Sequence, residues 1–252
     1  MAGAFVSARR QARPLADFPG PIPSTLGQSY AIQDAAIGLW GDEIKGWKVG
    51  RVAPELQDRV ASSRIAGPIF AKSVQKADAN RSLEVAVFEG GFAAVEAEFV
   101  FKLLEDAPRD KVSWTPEEAF ELRHALHAGV EMAGSPLATI NALGPTVVAS
   151  DFGNNAGLVL GQCIPDWASF APEALGCSTE IDGVCVGSAS SAALPEGLLA
   201  AFAFLLGHAA ARGFPLKAGQ LVSSGAITGI HDICVGQTGL VSFGSWGKIG
   251  VV

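Results

Sequence analysis

The sequence predicts an α+β fold with a rolled or sandwiched β-sheet, and three observations support this class. Short apolar segments recur between turn residues, consistent with the 30 glycines and 14 prolines of the chain. Only three or four helical segments lie between them. Strands and helices therefore do not alternate regularly along the chain, as they would in a parallel sheet. Of the 252 residues, 49% are apolar and 17% are charged, so the chain can bury a sizeable core.

Helix signals are clearest where a capping residue precedes an apolar segment. Thr115, Pro116 and Glu118 form a capping box with proline at the first helical position, and Ser29 is a candidate N-cap. A long apolar segment opens at Pro195 and is closed by glycine, which indicates a buried helix. The expected helices are residues 29–40, 54–60, 115–127 and 195–213.

Strand signals are alternating apolar and polar residues, or short apolar runs bracketed by glycine. In the strongest example, Val95, Ala97 and Phe99 alternate with Glu96 and Glu98. The expected strands are residues 46–50, 95–103, 129–133, 156–160 and 221–224, with one or two more in 239–252.

Composition and charge argue against several classes of protein. A net charge of −7 does not favour binding to nucleic acid or to an anionic membrane. The most apolar segment, 197–211, contains His208 and indicates a buried helix rather than a membrane span. The four cysteines form no C-x-x-C pair, so we expect reduced, mostly buried thiols in a cytoplasmic protein. We expect a helical segment, 1–65, packed on a β-roll catalytic domain, 66–252, or one single domain over 1–252.

Glu96 and Glu98 are the central chemical signal of the sequence. On a strand, residues i and i+2 point to the same face, so these two carboxylates lie within several ångströms of each other. Two like charges on one face repel unless something compensates them. A hard divalent cation does this with oxygen ligands, and an acidic strand face exposed to water is the alternative interpretation.

Glu131 and Lys48 are charged residues within otherwise apolar segments. Glu131 lies between Val130 and Met132, where a carboxylate is either paired in the core or a ligand at a site. Lys48 lies in a short strand with a glycine near each end, so it could bind an anion or relay protons. The alternative for Lys48 is a side chain that extends to solvent from a strand edge.

Other motifs give little support to competing chemistries. Asp151 begins the kinase tripeptide Asp-Phe-Gly, but no phosphate loop or catalytic loop accompanies it, and a turn accounts for most of this segment. His124 and His127 are three residues apart on an expected helix without the H-E-x-x-H pattern. Ser224 lacks the G-x-S-x-G elbow, which argues against a hydrolase triad.

Taken in order, these segments resemble the 2-keto-4-pentenoate hydratase and 4-oxalocrotonate decarboxylase branch of the fumarylacetoacetate hydrolase superfamily. The resemblance spans nearly the whole chain and implies a mixed α+β roll with the active site inside its curved sheet. It is carried by residues 30–33, 46–50, 96–98, 129–133, 155–161, 211–213 and 224–225, and by the glycine-bearing last strand.

The resemblance implies that Glu96, Glu98 and Glu131 hold Mg²⁺ or Mn²⁺, which would chelate the 2-keto and carboxylate oxygens of a small substrate. Lys48 matches the family's lysine and would contact the substrate carboxylate or move protons. A metal on the keto oxygen acts as a Lewis acid and stabilises an enolate. The candidates for substrate binding are Phe70, Asp151, Asn155, Ser224 and Gly225.

The function that the resemblance implies is hydration of a 2-hydroxy-2,4-dienoate to a 4-hydroxy-2-keto acid in aromatic catabolism. Decarboxylation of a 4-oxalocrotonate-like keto diacid needs the same enolate and is the main alternative. A C–C hydrolase of the superfamily and a non-catalytic partner subunit are further alternatives. A homo-oligomer is expected, and a complex with a pathway enzyme is a further expectation.

The chain departs from the family pattern in three places. Residues 63–74 contain no Asp or Glu where hydratases carry an acid, and their only charged residues are Arg64 and Lys72. Gln220 replaces the usual aspartate. Residues 134–136 read Gly-Ser-Pro instead of Asp-Ser-Arg, so a basic side chain that could bind a distal substrate group is missing. These departures indicate an unusual substrate or loss of the hydratase step.

Overall fold

A computed structural model describes residues 1–252 and confirms the α+β class, with mixed strands and flanking helices. None of its helices combines the length and the apolar character needed to cross a membrane. The helices are α1 (Ala2–Gln11), α2 (Leu26–Trp40), α3 (Pro54–Val60), α4 (Pro116–Glu121), α5 (Pro145–Ser150) and α6 (Gly197–Ala211). The strands are β1 (Ile44–Arg51), β2 (Arg64–Phe70), β3 (Val74–Lys76), β4 (Phe92–Leu103), β5 (His124–Ser135), β6 (Asn155–Cys163), β7 (Gly176–Ile181), β8 (Val184–Ser190), β9 (Leu221–Ser223), β10 (His231–Asp232), β11 (Gly239–Ser242) and β12 (Lys248–Val251).

The larger sheet has eight strands, and the long strands β4 and β5 lie near its middle. Seven strands follow the order β2-β1-β9-β4-β5-β6-β3, and β10 pairs with β4. The pairing is mixed, since β1 runs parallel to β9 and β3 runs parallel to β6, whereas the other pairs are antiparallel. A second sheet has four antiparallel strands in the order β12-β11-β7-β8.

The main core covers one face of β4. The ring of Phe99 on β4 contacts Phe243, which follows β11, with ring centroids 5.7 Å apart. Phe101, two residues along the same face, stacks on Phe202 of α6 at 4.6 Å. Because this face is filled by apolar side chains, the opposite face of β4 is the one that carries charged residues.

The N-terminal helices pack on the sheet, and a buried ion pair joins α1 to the loop before β6. Arg9 Nε lies 2.6 Å from Asp151 Oδ1, and both side chains are almost fully buried. Arg9 also donates hydrogen bonds to the carbonyls of Asn155 and Gly134. Strand β1 pairs with β2, so both sides of the expected boundary at residue 65 contribute to one sheet.

Two helix predictions need correction. Helix α2 begins at Leu26, and its N-cap is Thr25, whose hydroxyl accepts a hydrogen bond from the backbone N–H of Gln28. Ser29 lies within the first turn, where its hydroxyl donates to the Thr25 carbonyl. Helix α4 has the expected capping box at Thr115 but ends at Glu121, not near residue 127.

The early end of α4 reflects strand pairing. Leu122 is extended, with φ −70° and ψ 127°, and β5 then pairs with β4 along its whole length. Continuous cross-strand hydrogen bonds outweigh the local helix preference of these residues. His124 and His127 therefore lie on a strand, where they are half-buried.

Two glycines allow backbones to approach where a side chain would not fit. A Cβ at Gly46 would lie 2.4 Å from the carbonyl oxygen of Leu221, so β1 can pair with β9 only with glycine at this position. A Cβ at Gly67 would lie 1.9 Å from the carbonyl oxygen of Phe152. Both contacts position strands that line the functional site.

The cysteines are all free, as expected, but they are mostly not buried. Cys177 is buried, whereas Cys163, Cys185 and Cys234 are exposed. The sequence expectation of mostly buried thiols is therefore wrong for three of the four positions.

Candidate metal centre and active site

Three glutamates meet on the face of the large sheet opposite the main core. Strands β4 and β5 are antiparallel neighbours, and their register places Glu96 directly opposite Glu131. Glu98 lies two residues further along β4, on the same face as Glu96. Each of the three side chains offers a carboxylate oxygen within 4.8 Å of the other two.

The three carboxylates are buried, and their hydrogen bonding is incomplete. Glu96 is 3% exposed, and Glu98 and Glu131 are 0% exposed. One oxygen of each has no hydrogen-bond partner, namely Oε1 of Glu96, Oε1 of Glu98 and Oε2 of Glu131. Buried carboxylate oxygens without partners are costly, and three like charges together add repulsion. A divalent cation would compensate both costs.

The spacing of these oxygens fits a hard divalent cation. Oxygen ligands of one Mg²⁺ lie at most about 4.2 Å apart, and those of one Ca²⁺ at most about 5 Å. The observed limit of 4.8 Å falls between these values. Small side-chain movements would therefore suffice for the smaller ion, and the all-oxygen donor set suits Mg²⁺, Mn²⁺ or Ca²⁺.

Lys48 of β1 is the cation within this cluster. Its Nζ lies 3.4 Å from Glu131 Oε1 and donates a hydrogen bond of 3.0 Å to Asn154 Oδ1. Burial acts to lower the pKa of Lys48, but the charges of Glu131, Glu96 and Glu98 outweigh it and raise the pKa above its usual value. Lys48 is therefore an ammonium that balances only one of three carboxylates.

The pKa values of two glutamates are raised. Burial raises the pKa of Glu96 to about 7, although the charge of Lys48 opposes the shift. Burial raises the pKa of Glu98 well above its usual value, and Glu131 and Glu96 add to this effect. Without a cation, Glu96 and Glu98 hold their protons to a higher pH than ordinary glutamates do, and a bound cation would displace these protons.

Neighbouring groups orient the carboxylates. Asn155 Nδ2 donates to Glu131 Oε1 over 3.0 Å, and the backbone N–H of Gly225 donates to Glu98 Oε2 over 3.0 Å. The hydroxyl of Ser223 donates to the same oxygen of Glu98. These bonds leave the other oxygen of each carboxylate available for a ligand, as outer hydrogen bonds do in metal sites.

A cavity of about 660 Å³ opens onto this cluster. Its wall includes Lys48, Glu96, Asn154, Ser224 and Gly225, whereas Glu98 and Glu131 are fully buried and do not border it. The Oγ of Ser224 is buried and has no hydrogen-bond partner, so it can bind a ligand in the cavity. This volume is typical of sites for small molecules.

Phe70 and Asp151, two of the expected substrate-binding residues, do not line the cavity. The Phe70 ring packs between Trp40 and Phe152, with centroid distances of 5.6 and 5.0 Å. Asp151 is held by Arg9 and accepts a hydrogen bond from the hydroxyl of Ser135. The Phe70 ring and the Asp151 carboxylate therefore make structural contacts inside the protein and do not face the cavity.

Asn155 also lies outside the cavity wall, and its contact is with Glu131. Its neighbour Asn154, which the sequence analysis did not select, does line the cavity and contacts Lys48. Phe152, Gly153 and Asn154 have successive positive φ values of 54°, 62° and 55°. This left-handed turn directs both asparagines towards the cluster. The asparagine pair after a glycine, which is typical of such a turn, was the feature of the sequence that could have identified Asn154.

Ser223, also absent from the sequence candidates, lies on β9 and holds Glu98. Neighbouring residues on a strand point to opposite faces, so two adjacent serines can contact different groups. The Ser-Ser pair before Gly225 was therefore the feature of the sequence that could have identified Ser223. Two arginines of the cavity wall, Arg51 and Arg64, were likewise not identified as site residues.

Comparisons with family models and with curated proteins find no match for this chain. Comparison with solved structures finds clear similarity. A 4-oxalocrotonate decarboxylase from Pseudomonas putida G7, complexed with magnesium and adipate, is 18% identical with a TM-score of 0.79, over 99% of this chain and 94% of that one.

Two other structures are similar over less of the chain. A fumarylpyruvate hydrolase from Pseudomonas aeruginosa in complex with Mn²⁺ and pyruvate is 16% identical with a TM-score of 0.57, over 81% of this chain and 87% of that one. A 5-carboxymethyl-2-hydroxymuconate delta-isomerase from Mycobacterium smegmatis is 14% identical with a TM-score of 0.53, over 82% and 77%. The chain therefore has the fold of fumarylacetoacetate hydrolase superfamily enzymes, which confirms at the level of fold the resemblance drawn from the sequence.

Proposed function

We propose that this chain is a metal-dependent lyase that acts on a small 2-keto acid, with Mg²⁺ or Mn²⁺ held by Glu96, Glu98 and Glu131. The observation that carries the proposal is the meeting of three buried carboxylates, each with one oxygen that lacks a partner. Structures of the same fold contain magnesium in a decarboxylase and Mn²⁺ in a hydrolase, which supports the choice of ion.

Each cavity residue has a role that follows from its contacts. When bound, the ion would supply Lewis-acid polarisation of the substrate's keto group. The Lys48 ammonium would neutralise the substrate carboxylate and donate a proton, and Asn154 holds its Nζ in position. The free hydroxyl of Ser224 would donate a hydrogen bond to the same substrate.

The finer proposal is hydration of a 2-hydroxy-2,4-dienoate, as the sequence resemblance implies. A second candidate is decarboxylation of a keto diacid, and two observations favour it. The structural similarity to a 4-oxalocrotonate decarboxylase covers 99% of this chain. Residues 63–74, the segment in which hydratases usually carry an acid, contain no Asp or Glu, so no carboxyl group from strand β2 can transfer a proton.

A C–C hydrolase is a weaker candidate. Such an enzyme would need a His–Glu pair near the substrate, and no histidine lines the cavity. Assembly into a homo-oligomer, and association with a pathway enzyme, are further proposals, which light scattering and co-purification with the candidate enzyme would test.

The experiment supplies the purified protein with Mg²⁺ and either 2-hydroxypenta-2,4-dienoate or 4-oxalocrotonate. Loss of dienol absorbance would report hydration, and released CO₂ would report decarboxylation. Glu98→Gln should abolish turnover, and Glu89→Gln, an exposed position, should not change it. Metal binding without turnover of any keto acid would instead support a non-catalytic partner subunit.

A further inference from the structure

A buried arginine of α1 holds the turn that carries two residues of the site. Arg9 Nε and Nη2 donate to the two carboxylate oxygens of Asp151 over 2.6 and 2.9 Å. Its Nη1 donates to the Asn155 carbonyl and its Nη2 to the Gly134 carbonyl, both over 2.9 Å. The side chains of Arg9 and Asp151 are 5% and 1% exposed. One guanidinium therefore joins the start of β6, the end of β5 and the residue before the turn.

The turn has a backbone conformation that needs support from its surroundings. Phe152, Gly153 and Asn154 have positive φ values in succession, which is costly for the two residues that carry a Cβ. The Asn154 N–H donates to the Asp151 carbonyl over 2.8 Å, and Arg9 Nη2 donates to the same carbonyl over 3.2 Å. The Arg9 guanidinium also lies over the Phe152 ring, 5.1 Å from its centroid. Arg9 therefore contacts both the backbone and a side chain of this segment.

The turn links Arg9 to the carboxylate cluster. Asn154 Oδ1 accepts from Lys48 Nζ over 3.0 Å, and Asn155 Nδ2 donates to Glu131 Oε1 over 3.0 Å. Hydrogen bonds weaken steeply when their geometry changes, so a shift of this turn would disturb both the ammonium and a carboxylate of the cluster. Arg9 does not border the cavity, so any effect on the site has to pass through the two asparagines.

Helix α1 has other contacts that attach it to the protein. Phe5 and Val6 are buried in separate apolar clusters. Arg10 donates to the carbonyls of the last two residues of α2. Burying an ion pair costs desolvation, and its replacement by apolar residues of similar volume is often neutral or stabilising. Attachment of α1 therefore does not by itself account for the buried pair of Arg9 and Asp151.

We propose that Arg9 is a positioning residue of the metal centre, which acts through Asp151 and the turn of residues 152–155. The inference rests on the proposed function, since it assigns Arg9 an effect on the ligand Glu131 and on Lys48. Arginine suits this role because its planar fork binds a carboxylate through two hydrogen bonds and leaves further donors for carbonyl groups. The first helix of the chain is thereby part of the support of the site.

The first test compares the same substitution at neighbouring positions of α1. Arg9→Lys keeps the charge but cannot bond Asp151 and both carbonyls at once, and it should weaken Mn²⁺ binding about tenfold, the lower end of effects around metal sites. Arg10→Lys is the matched control, because its contacts lie at the end of α2, and it should change Mn²⁺ affinity less than about twofold. Electron paramagnetic resonance titration measures both affinities. Equal affinities of the two variants would overturn the inference.

A replacement without charge separates positioning from stability. Arg9→Met combined with Asp151→Leu removes both charges and keeps much of the volume of the two side chains. The free energy of unfolding should therefore equal or exceed that of wild type. Mn²⁺ affinity should still fall about tenfold, because the turn has lost the donors that hold it. A double variant that is as stable as wild type and binds Mn²⁺ as tightly would overturn the inference.

A double-mutant cycle tests the route from Arg9 to the metal centre. In an Asn155→Ala background, Arg9→Lys should lower Mn²⁺ affinity by less than about threefold, since the group through which it acts on Glu131 is absent. A merely structural role would give independent effects, with a further reduction of about tenfold in that background. Independent effects would therefore overturn the inference.

Failure of the inference differs from failure of the proposed function. Mn²⁺ binding that is lost in Glu98→Gln but unaffected by Arg9→Lys would overturn the inference alone. Absence of Mn²⁺ binding by wild type would overturn the proposed function, and amide hydrogen exchange of the metal-free protein then decides whether Arg9 holds the turn. Residues 152–155 should exchange about tenfold faster in Arg9→Lys than in Arg10→Lys, and equal exchange would overturn that role of Arg9.

Discussion

Glu96 on β4 and Glu131 on β5 are direct cross-strand partners in the middle of the large sheet. Like charges in such pairs destabilise a sheet even at a surface, and here both side chains are buried. One ammonium, that of Lys48, lies beside Glu131. The protein therefore maintains an arrangement that costs stability in the absence of a cation, which is typical of a functional site.

Glu98→Gln should remove metal binding and at the same time stabilise the metal-free protein. The amide keeps the shape of the side chain, removes one ligand, and removes the cost of keeping either a proton or a negative charge on this carboxyl in the buried cluster. We expect Mn²⁺ affinity to fall more than about 100-fold, since even an outer-shell change in a metal site costs 10- to 100-fold. Electron paramagnetic resonance titration and thermal unfolding with and without Mn²⁺ measure the two effects.

Glu89→Gln is the matched control, because this glutamate is exposed and remote from the cavity wall. It should alter neither Mn²⁺ affinity nor the metal-free Tm. If Glu98→Gln binds Mn²⁺ as tightly as wild type does, the proposed metal site is wrong.

Lys48→Met should lower turnover by at least about 100-fold, the usual contribution of a proton-transfer group, and leave Mn²⁺ binding intact. Methionine preserves much of the apolar stem, so β1 should still pack against its neighbours. Steady-state kinetics and Mn²⁺ titration separate the two properties. Lys45→Met, on the same strand but outside the cavity wall, is the control. Equal turnover in the two variants would remove the role assigned to Lys48.

Gly67→Ala should destabilise the protein by more than about 2 kcal/mol, because its Cβ would lie 1.9 Å from the carbonyl oxygen of Phe152. The same turn positions Asn154 beside Lys48, so the substrate KM should also rise.

Gly3→Ala is the control, because the same substitution should here have the opposite effect on stability. Nothing lies within 4 Å of a Cβ at this exposed helical position, so alanine should stabilise by about 0.5–1 kcal/mol. Urea unfolding compares the variants, and a neutral Gly67→Ala would contradict the close approach.

His208 should make stability fall as the pH is lowered from about 6.5 towards 4. Burial, and then the charge of Arg212, lower the pKa of His208 to about 4. In this interval the unfolded chain binds a proton that the folded protein does not, so stability rises with pH and is lost on acidification. The carboxylate of Asp34 forms an ion pair with Arg212, the cation that faces His208.

The measurement for His208 is urea unfolding at pH 7 and pH 5 for wild type and His208→Gln. Wild type should lose about 1–2 kcal/mol more than the variant across this interval, allowing for partial solvent screening. The other titrating groups are common to both proteins, so the difference isolates His208. Identical losses would show that the pKa of His208 is not lowered.

The sequence by itself predicted the features that depend on local periodicity. Alternation along Val95 to Phe101 indicated a strand with two carboxylates on one face, and the capping box at Thr115 located the start of α4. It did not indicate where α4 ends, because the pairing of β5 with β4 competes with helix formation and involves residues distant in sequence. The fold class and the resemblance followed from the order of such local patterns.

Only the tertiary structure decided which charged residues meet. The register of β4 and β5 places Glu131 opposite Glu96, and β1 brings Lys48 Nζ within 3.4 Å of Glu131 Oε1. The same contacts remove Asp151 from the site, since Arg9 occupies it from a helix at the other end of the chain. Strand register and long-range ion pairs are set by the packing of whole elements, and sequence periodicity does not encode which element a side chain will face.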